Sequence, residues 1–275
     1  MSSSRSAPGL AVVASVIAWA RSASAVELPN DGDIARPCRP TVSCTADIAA
    51  PGSFEAEVGS YYASLGGDAR LWSYPVLLKQ TLTRLLQLQV GSNGYTRVSG
   101  SQGQPITHHV DNLLVGPKLH FLDQGDVAPS LALTALASVP AFAPGHDGAF
   151  LTGHASKDVG PLHADLNVGV DLWWAGAAGA DAAAQPFGAL AFSATPLPPL
   201  GVALEGYAFT TADPYASRDG GVRLAFTLTP RPWLVFDFGG DLGWFPSTHG
   251  HSLFVGMTVL PVVFWREPEQ THEDR

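Results

Sequence analysis

Long apolar runs, cysteine and formal charge are all scarce in this chain, and each shortage removes a class of protein. Beyond the N-terminal region no stretch approaches the ~20 consecutive apolar residues of a membrane helix. Only two cysteines, Cys38 and Cys44, occur in 275 residues, too few for a disulfide-framed scaffold or a cysteine-based metal centre. Charged residues make up 14% of the chain, well below the roughly 25% of a soluble domain. The nine histidines show no metal-ligand spacing, and neither a metal nor another cofactor is implied. The net charge of −9 argues against nucleic acid or anionic lipid as partner, since an acidic surface repels both.

What is present is apolar residue in quantity, 46% of the chain, distributed two by two. The segment Gly160 to Trp174, GPLHADLNVGVDLWW, sets Leu162, Ala164, Leu166, Val168, Val170, Leu172 and Trp174 against His163, Asp165, Asn167, Gly169 and Asp171. Successive side chains of a strand point to opposite faces, so this is a strand with one apolar and one polar face. Its length exceeds the usual five or six residues and suits the wall of a transmembrane barrel.

The same pattern runs from Phe54 to Trp265. Tight turns are expected near 83, 124, 159, 197 and 230, and mostly longer loops near 65, 102, 144, 179, 215 and 247. The stretch Thr96 to His109 reads as a polar connection. About twelve strands result, an even number with short and long connections in alternation. The predicted fold is all-β: a transmembrane antiparallel up-and-down β-barrel of outer-membrane type. A soluble sandwich or lipocalin-like barrel would need its apolar faces turned inward onto a second layer.

Four segments follow. Residues 1–25 read as a signal peptide, with Arg5, an apolar run from Leu10 to Ala20, and a small-residue cleavage site at Ala23-Ser24-Ala25, which sends the chain to the bacterial outer membrane after cleavage near Ala25. Residues 26–53 read as a periplasmic arm, or a plug, without a core of its own and carrying a Cys38–Cys44 disulfide. Residues 54–265 form the barrel, and 266–275 a loose polar tail.

If the apolar face meets outer-membrane lipid, the polar face lines the lumen. That places Glu55, Glu57, Lys79, Lys118, His120, His163, Asp165, Asp171, Glu205, Arg223, Asp237 and Asp241 inside. They form either a mildly acidic pore or a network of paired charges that props the barrel shut. His154-Ala155-Ser156 resembles the His-x-Ser of an outer-membrane lipid A deacylase, and Gly250-His251-Ser252 faintly resembles an outer-membrane phospholipase. Thr152, His154 and Ser156 share the lumen face, the wrong side for a lipid substrate, so no catalytic residue is assigned. His108-His109 and His249/His251 are expected in solvated outer loops.

Three segments, LTRLLQLQVG (Leu82 to Gly91), SKDVGPLHADLNVGV (Ser156 to Val170) and DGGVRLAFTLTPRPWLVFDFGGDLG (Asp219 to Gly243), resemble the outer-membrane β-barrel family labelled for a MetA-pathway of phenol degradation. The resemblance covers roughly Phe54 to Trp265. It implies a non-enzymatic, porin-like transporter or channel for passive passage of small, hydrophobic or aromatic solutes. A closed structural or surface-binding barrel and an outer-membrane lipid hydrolase are the alternatives, and the oligomeric state is left open. The Cys-bearing arm and the polar tail depart from the family pattern.

Overall fold

Period-two alternation leaves each strand with an apolar face that must be covered and a backbone that must be paired, and a closed barrel in lipid answers both needs. The structure, a computed structural model, describes residues 27–39, 41–64, 69–99, 106–140, 147–174, 183–210, 220–244 and 249–266. The expected signal peptide, its cleavage site and the tail from 267 lie outside the described residues, as do most of the longer loops.

Fifteen strand segments run in chain order: β1 (Ser53–Ser64), β2 (Arg70–Ser73), β3 (Val76–Thr83), β4 (Leu86–Ser92), β5 (Tyr95–Ser99), β6 (Thr107–Val110), β7 (Leu113–Leu122), β8 (Ser130–Val139), β9 (Gly148–Val159), β10 (Leu162–Trp173), β11 (Ala183–Leu197), β12 (Leu200–Phe209), β13 (Gly220–Arg231), β14 (Leu234–Trp244) and β15 (His249–Val263). Segments β2 with β3, β4 with β5, and β6 with β7 are single wall strands interrupted at Tyr74-Pro75, Asn93-Gly94 and Asp111-Asn112, so the wall has twelve strands. The interruptions have local causes. Pro75 lacks an N–H for the ladder, and Gly94 sits at φ 67°, where a Cβ would fall 2.2 Å from the Tyr74 carbonyl. Bonds from Gly59 N–H to Pro75 O and from Asp111 N–H to Gly94 O carry the ladder across these breaks.

Each strand is antiparallel to its sequence neighbour, and β1 closes on β15 from Ser53↔Val263 to Ser64↔His251. Four of the tight connections are two residues long, at 84–85, 160–161, 198–199 and 232–233. Gly160, at φ 61°, supplies the left-handed first position of one of them. The connection expected at Asp123 to Asp126 runs on to 129, because β8 starts at Ser130. The stretch Thr96 to His109 is also corrected: Tyr95–Ser99 and Thr107–Val110 pair with each other, and β5 pairs with β2, so the wall continues upward there. His108 and His109 therefore lie in β6, and His251 lies in β15, rather than in loops.

The two faces divide as a membrane wall requires. In β10, Leu166 and Val168 are 45% and 60% exposed while Asn167 between them is 1% exposed. Across the barrel, large apolar side chains such as Leu78, Phe121, Phe192, Leu204, Phe238 and Leu253 are exposed on the outside. The most buried long side chains are instead Lys79, Lys118, Gln87, Glu55, Glu57 and Glu205. A soluble barrel would have these positions reversed.

Two measurements check this wall. The folded protein should migrate faster on an unheated detergent gel than after boiling, because a closed ladder resists unfolding. Leu166→Arg or Val168→Arg should lower the unfolding free energy in lipid by roughly 2–4 kcal/mol, whereas His163→Arg on the inner face should be tolerated. Equal costs at Leu166 and His163 would reject the orientation.

Candidate functional site

The interior is not empty, because the chain ahead of β1 folds back into it. A polypeptide without secondary structure carries unpaired N–H and C=O groups, and inside a barrel only the wall can satisfy them. The inward side chains do so in three groups.

Against β1 and β3, Glu55 accepts the Arg36 N–H at 2.6 Å and Glu57 accepts the Cys38 N–H at 2.9 Å. Lys79 lies 2.7 Å from Glu57 and 3.3 Å from Glu55, and its Nζ donates to the Arg36 carbonyl at 2.5 Å. Gln87 donates to Glu55 and to Thr81. All four charged or amide side chains are at most 2% exposed, so the pairing is indispensable: losing one partner of a buried ion pair costs about 3–5 kcal/mol.

Across the barrel, Glu205 of β12 accepts three bonds from the arm, from the Val42 N–H (2.7 Å), the Ser43 N–H (2.6 Å) and the Ser43 hydroxyl (2.7 Å). Arg223 backs this carboxylate at 4.0 Å, donates to Asp241 at 2.9 Å, and lies over the rings of Tyr207 and Phe254 at 5.7 and 5.0 Å.

The third group spans β7 to β10. Asn167 both accepts from the Cys44 N–H and donates to the Cys44 carbonyl, each at 2.9 Å. Lys118 donates to the carbonyls of Thr45 (2.5 Å) and Asp47 (3.2 Å), a His120 ring nitrogen lies 3.2 Å from the Ala46 carbonyl, and Ser130 donates to Asp47.

Cys38 and Cys44 are joined as expected, with Cα atoms 4.4 Å apart. The bond closes the small loop whose two ends face Glu57 and Asn167. Between them Arg39 reaches Asp237 through Nη2 at 3.2 Å and the Val255 carbonyl at 3.3 Å. Its guanidinium lies on Gly59 and Gly256, cross-strand partners of β1 and β15. A Cβ at either would come within 2.5–2.6 Å of it, so a side chain at either position would push this cation from its place.

The arm also has an apolar footing. Ala35 and Ala49 join Val235, Leu260 and Val263 of the wall in one buried cluster against Trp233. The start of the tail is not loose. Arg266 donates to both carboxylate oxygens of Asp33 at 2.7 and 2.8 Å and to Glu27 at 2.8 Å.

Of the twelve inward residues named from the sequence, Glu55, Glu57, Lys79, Lys118, His120 and Glu205 touch the arm directly. Asp237 does so through Arg39, and Arg223 and Asp241 stand behind Glu205. Asp171 stands apart, across from Gln185 and Phe150. His163 bridges Asp158 (2.6 Å) and Asp165 (3.1 Å). His163 and Asp165 border a cleft of about 500 Å³ between the arm and β10 to β13, which Arg39, Thr41, Ser193 and Thr227 also line.

The residues missed from the sequence are those that hold the arm without charge, chiefly Asn167, Ser156 and the Gly59–Gly256 pair. Ser156 accepts the Ala46 N–H at 2.7 Å and donates to Asp165 at 2.5 Å. His154 faces Thr134, Asn167 and the Cys44 carbonyl. Both members of the His-x-Ser pattern are thus engaged in seating the arm.

No protein-family model matches the sequence, and no curated protein matches it. The structure is similar to an outer membrane channel from Pseudomonas putida F1, with a TM-score of 0.58 at 14% identity over 79% of this chain and 97% of that chain. At that identity the likeness speaks to the fold, a closed barrel of outer-membrane type. The NanC porin (12% identity, TM-score 0.49, 74% of this chain and 98% of that one) and the Pseudomonas putida toluene transporter TodX (9%, 0.41, 78% and 90%) overlap less well.

The Arg266 guanidinium holds the Asp33 carboxyl below the usual carboxylate range. A depressed folded-state value means that the clamp contributes stability above the unfolded value of about 4 and loses it as pH falls through the folded value. Hydrogen exchange of residues 27–35, corrected for its intrinsic pH dependence, should therefore accelerate below about pH 4. Asp33→Asn should exchange fast at every pH. Unchanged protection in Asp33→Asn would remove the clamp from the account.

Proposed function

We propose that this protein is a passive outer-membrane channel for small, uncharged, hydrophobic or aromatic solutes, in which the inward-folded arm narrows the lumen instead of closing it. The observation that carries the reading is the cleft of about 500 Å³ left between the arm and β10 to β13. Its volume is within the ~300–1,000 Å³ of small-molecule sites. The closed wall with lipid-facing apolar residues supports a location in the bacterial outer membrane, with the paired ends of arm and barrel on the periplasmic side and the longer loops outside.

The cleft lining supports the solute class. Alanines of β11 and β12 alternate there with the hydroxyls of Thr41, Thr45, Ser193 and Thr227, and Arg36, Arg39 and His163 offset Asp158 and Asp165. A neutral solute with an aromatic ring loses little on entering such a surface, whereas an ion must shed water without a matching unpaired charge. Glu55 and Glu57, which the sequence places in either an acidic pore or a network of paired charges, are 0% and 1% exposed and are taken up by the arm. Selection therefore rests on Asp165 and His163, and neutralising Glu55 acts on arm seating. Similarity to the phenol-pathway barrel family and to solved outer-membrane channels supports the same reading, without catalysis.

Liposomes carrying the refolded protein should admit a phenol-sized neutral solute faster than benzoate or anilinium. Glu205→Ala together with Asn167→Ala, which removes the acceptors of four arm bonds, should raise ion conductance in a planar bilayer several-fold by freeing the arm. Wild-type permeability equal to that of empty liposomes, with folding shown by the gel shift, would leave a closed structural barrel as the better account.

A further inference from the structure

A disulfide in an exported protein is ordinarily a passive staple, resistant to exchange because it is packed away from attacking thiols. Cys38–Cys44 is placed otherwise. Both cysteines are half-buried, and neither belongs to a buried apolar cluster of the described residues. Their surroundings are polar, and the two sulfurs differ.

Cys44 Sγ lies 3.6 Å from Nζ of Lys118, a side chain 1% exposed. The other partners of this ammonium are the carbonyls of Thr45 and Asp47. Its three N–H groups are thus matched in number, but no carboxylate oxygen among the described residues pairs with its charge. The acids of that region are engaged elsewhere: Glu55 with Lys79 and the Arg36 N–H, Asp47 with Ser130 and Arg36, Asp165 with Ser156 and His163. A buried cation without a counter-ion is costly, and a negative charge on Cys44 Sγ would supply one.

Cys38 has the more open side. Its neighbours Pro37 and Arg39 both line the cleft beside β10 to β13, whereas Ser43 beside Cys44 is 1% exposed. Gly160 and Pro161 belong to the same lining, so the cleft reaches the end of the barrel that carries the tight turns. An attacking thiolate forms its bond to one sulfur and expels the other. Entering by the cleft, past the cations Arg36 and Arg39, it meets Cys38, and the sulfur expelled is the one against Lys118.

We propose that Cys38–Cys44 is an exchange site for a small thiol, with Cys38 the sulfur attacked and Cys44 the sulfur that leaves, and that its opening loosens the arm and widens the channel. In the first step a thiolate bonds to Cys38 Sγ as the Cys38–Cys44 bond breaks, and the bonding pair departs on Cys44 Sγ beside Lys118. A second thiolate displaces Cys38 and forms the free disulfide of the reagent. Two thiols are thereby oxidised, the protein disulfide takes up their two electrons, and their protons pass to solvent or to the freed sulfurs. The ring so opened carries Arg39, Val42 and Ser43, whose bonds to Asp237, Val255 and Glu205 tie the arm across the lumen. The widening rests on the channel reading above; the exchange does not.

Protein refolded in detergent with the disulfide intact would be exposed to mercaptoethanol, quenched in acid at intervals and read by tandem mass spectrometry. The transient adduct should sit on Cys38. An equal or larger amount on Cys44 would overturn the assignment. Lys118→Met should slow the opening about tenfold, since the departing sulfur loses the cation in contact with it, and Lys118→Arg should restore much of the rate. A merely structural lysine predicts the reverse, because a loosened arm exposes the disulfide. An equal or faster rate in a Lys118→Met protein that keeps the heat-dependent gel shift would therefore overturn the proposal.

In a planar bilayer, reduction should raise wild-type conductance several-fold, to the level that Cys38→Ser with Cys44→Ser shows without reductant. Unchanged conductance with both thiols shown free by alkylation would overturn the widening. Exchange at Cys38 with no conductance in either state would count against the channel reading and leave the exchange site standing.

Discussion

Everything inside this barrel depends on one constraint: a non-repetitive backbone is enclosed by a wall and must be hydrogen-bonded by it. The wall's backbone is largely taken up by its own ladder, and it pairs with the arm only at a few described points such as Glu27 with Val263 and the Ala35 N–H with the Pro232 carbonyl, so most of the task falls on side chains. The residue types that result are acceptors and donors of fixed reach. Carboxylates of Glu55, Glu57 and Glu205 receive the arm's N–H groups, and the ammonium groups of Lys79 and Lys118 receive its carbonyls. Asn167, which can do both, serves both sides of Cys44. A cation then stands near the capping carboxylates, Lys79 beside Glu55 and Glu57 and Arg223 behind Glu205, because a buried carboxylate is costly without one.

Space is the second constraint, and it is met by pairing large inward groups with glycine. Arg39 uses Gly59 and Gly256. The same device seats rings of the wall: Phe187 lies over its cross-strand partner Gly169, and Phe254 over Gly239, where a Cβ would approach within 2.6 and 2.7 Å of the ring.

The wall was legible in the sequence because its signal is local. Leu166, Asn167 and Val168 declare their faces by alternation alone, and a run of twelve such strands has few other homes. The small upper sheet was not legible, since Thr96 to His109 carries only Val98 and Ile106 as large apolar residues and its strands pair only after the chain has stepped across Gly94. The arm's seat was hidden for a different reason. Residues 36–47 carry no periodicity, and their partners, Glu205 and Asn167, lie more than a hundred residues away. Glu55 and Glu57 could be placed inside from parity, yet parity cannot tell a carboxylate that faces water from one that caps a backbone. What the sequence could have offered was the excess of inward acids and amides over inward apolar residues, a sign that something polar had to be held.

That distinction decides how charge works inside the barrel. A charged residue exposed to a lumen sets a field for passing ions, whereas one capped by backbone and a counter-ion is electrically spent. The inward list from the sequence looks acidic, but Glu55 and Glu57 share Lys79, Glu205 is saturated by three donors with Arg223 behind it, and Asp237 is matched by Arg39. The charge left along the cleft is on Arg36, on Arg39 and on His163 between Asp158 and Asp165. An interior built to hold its own arm thus spends Glu55, Glu57 and Glu205 on that arm, and parity in the sequence does not show which carboxylates are spent.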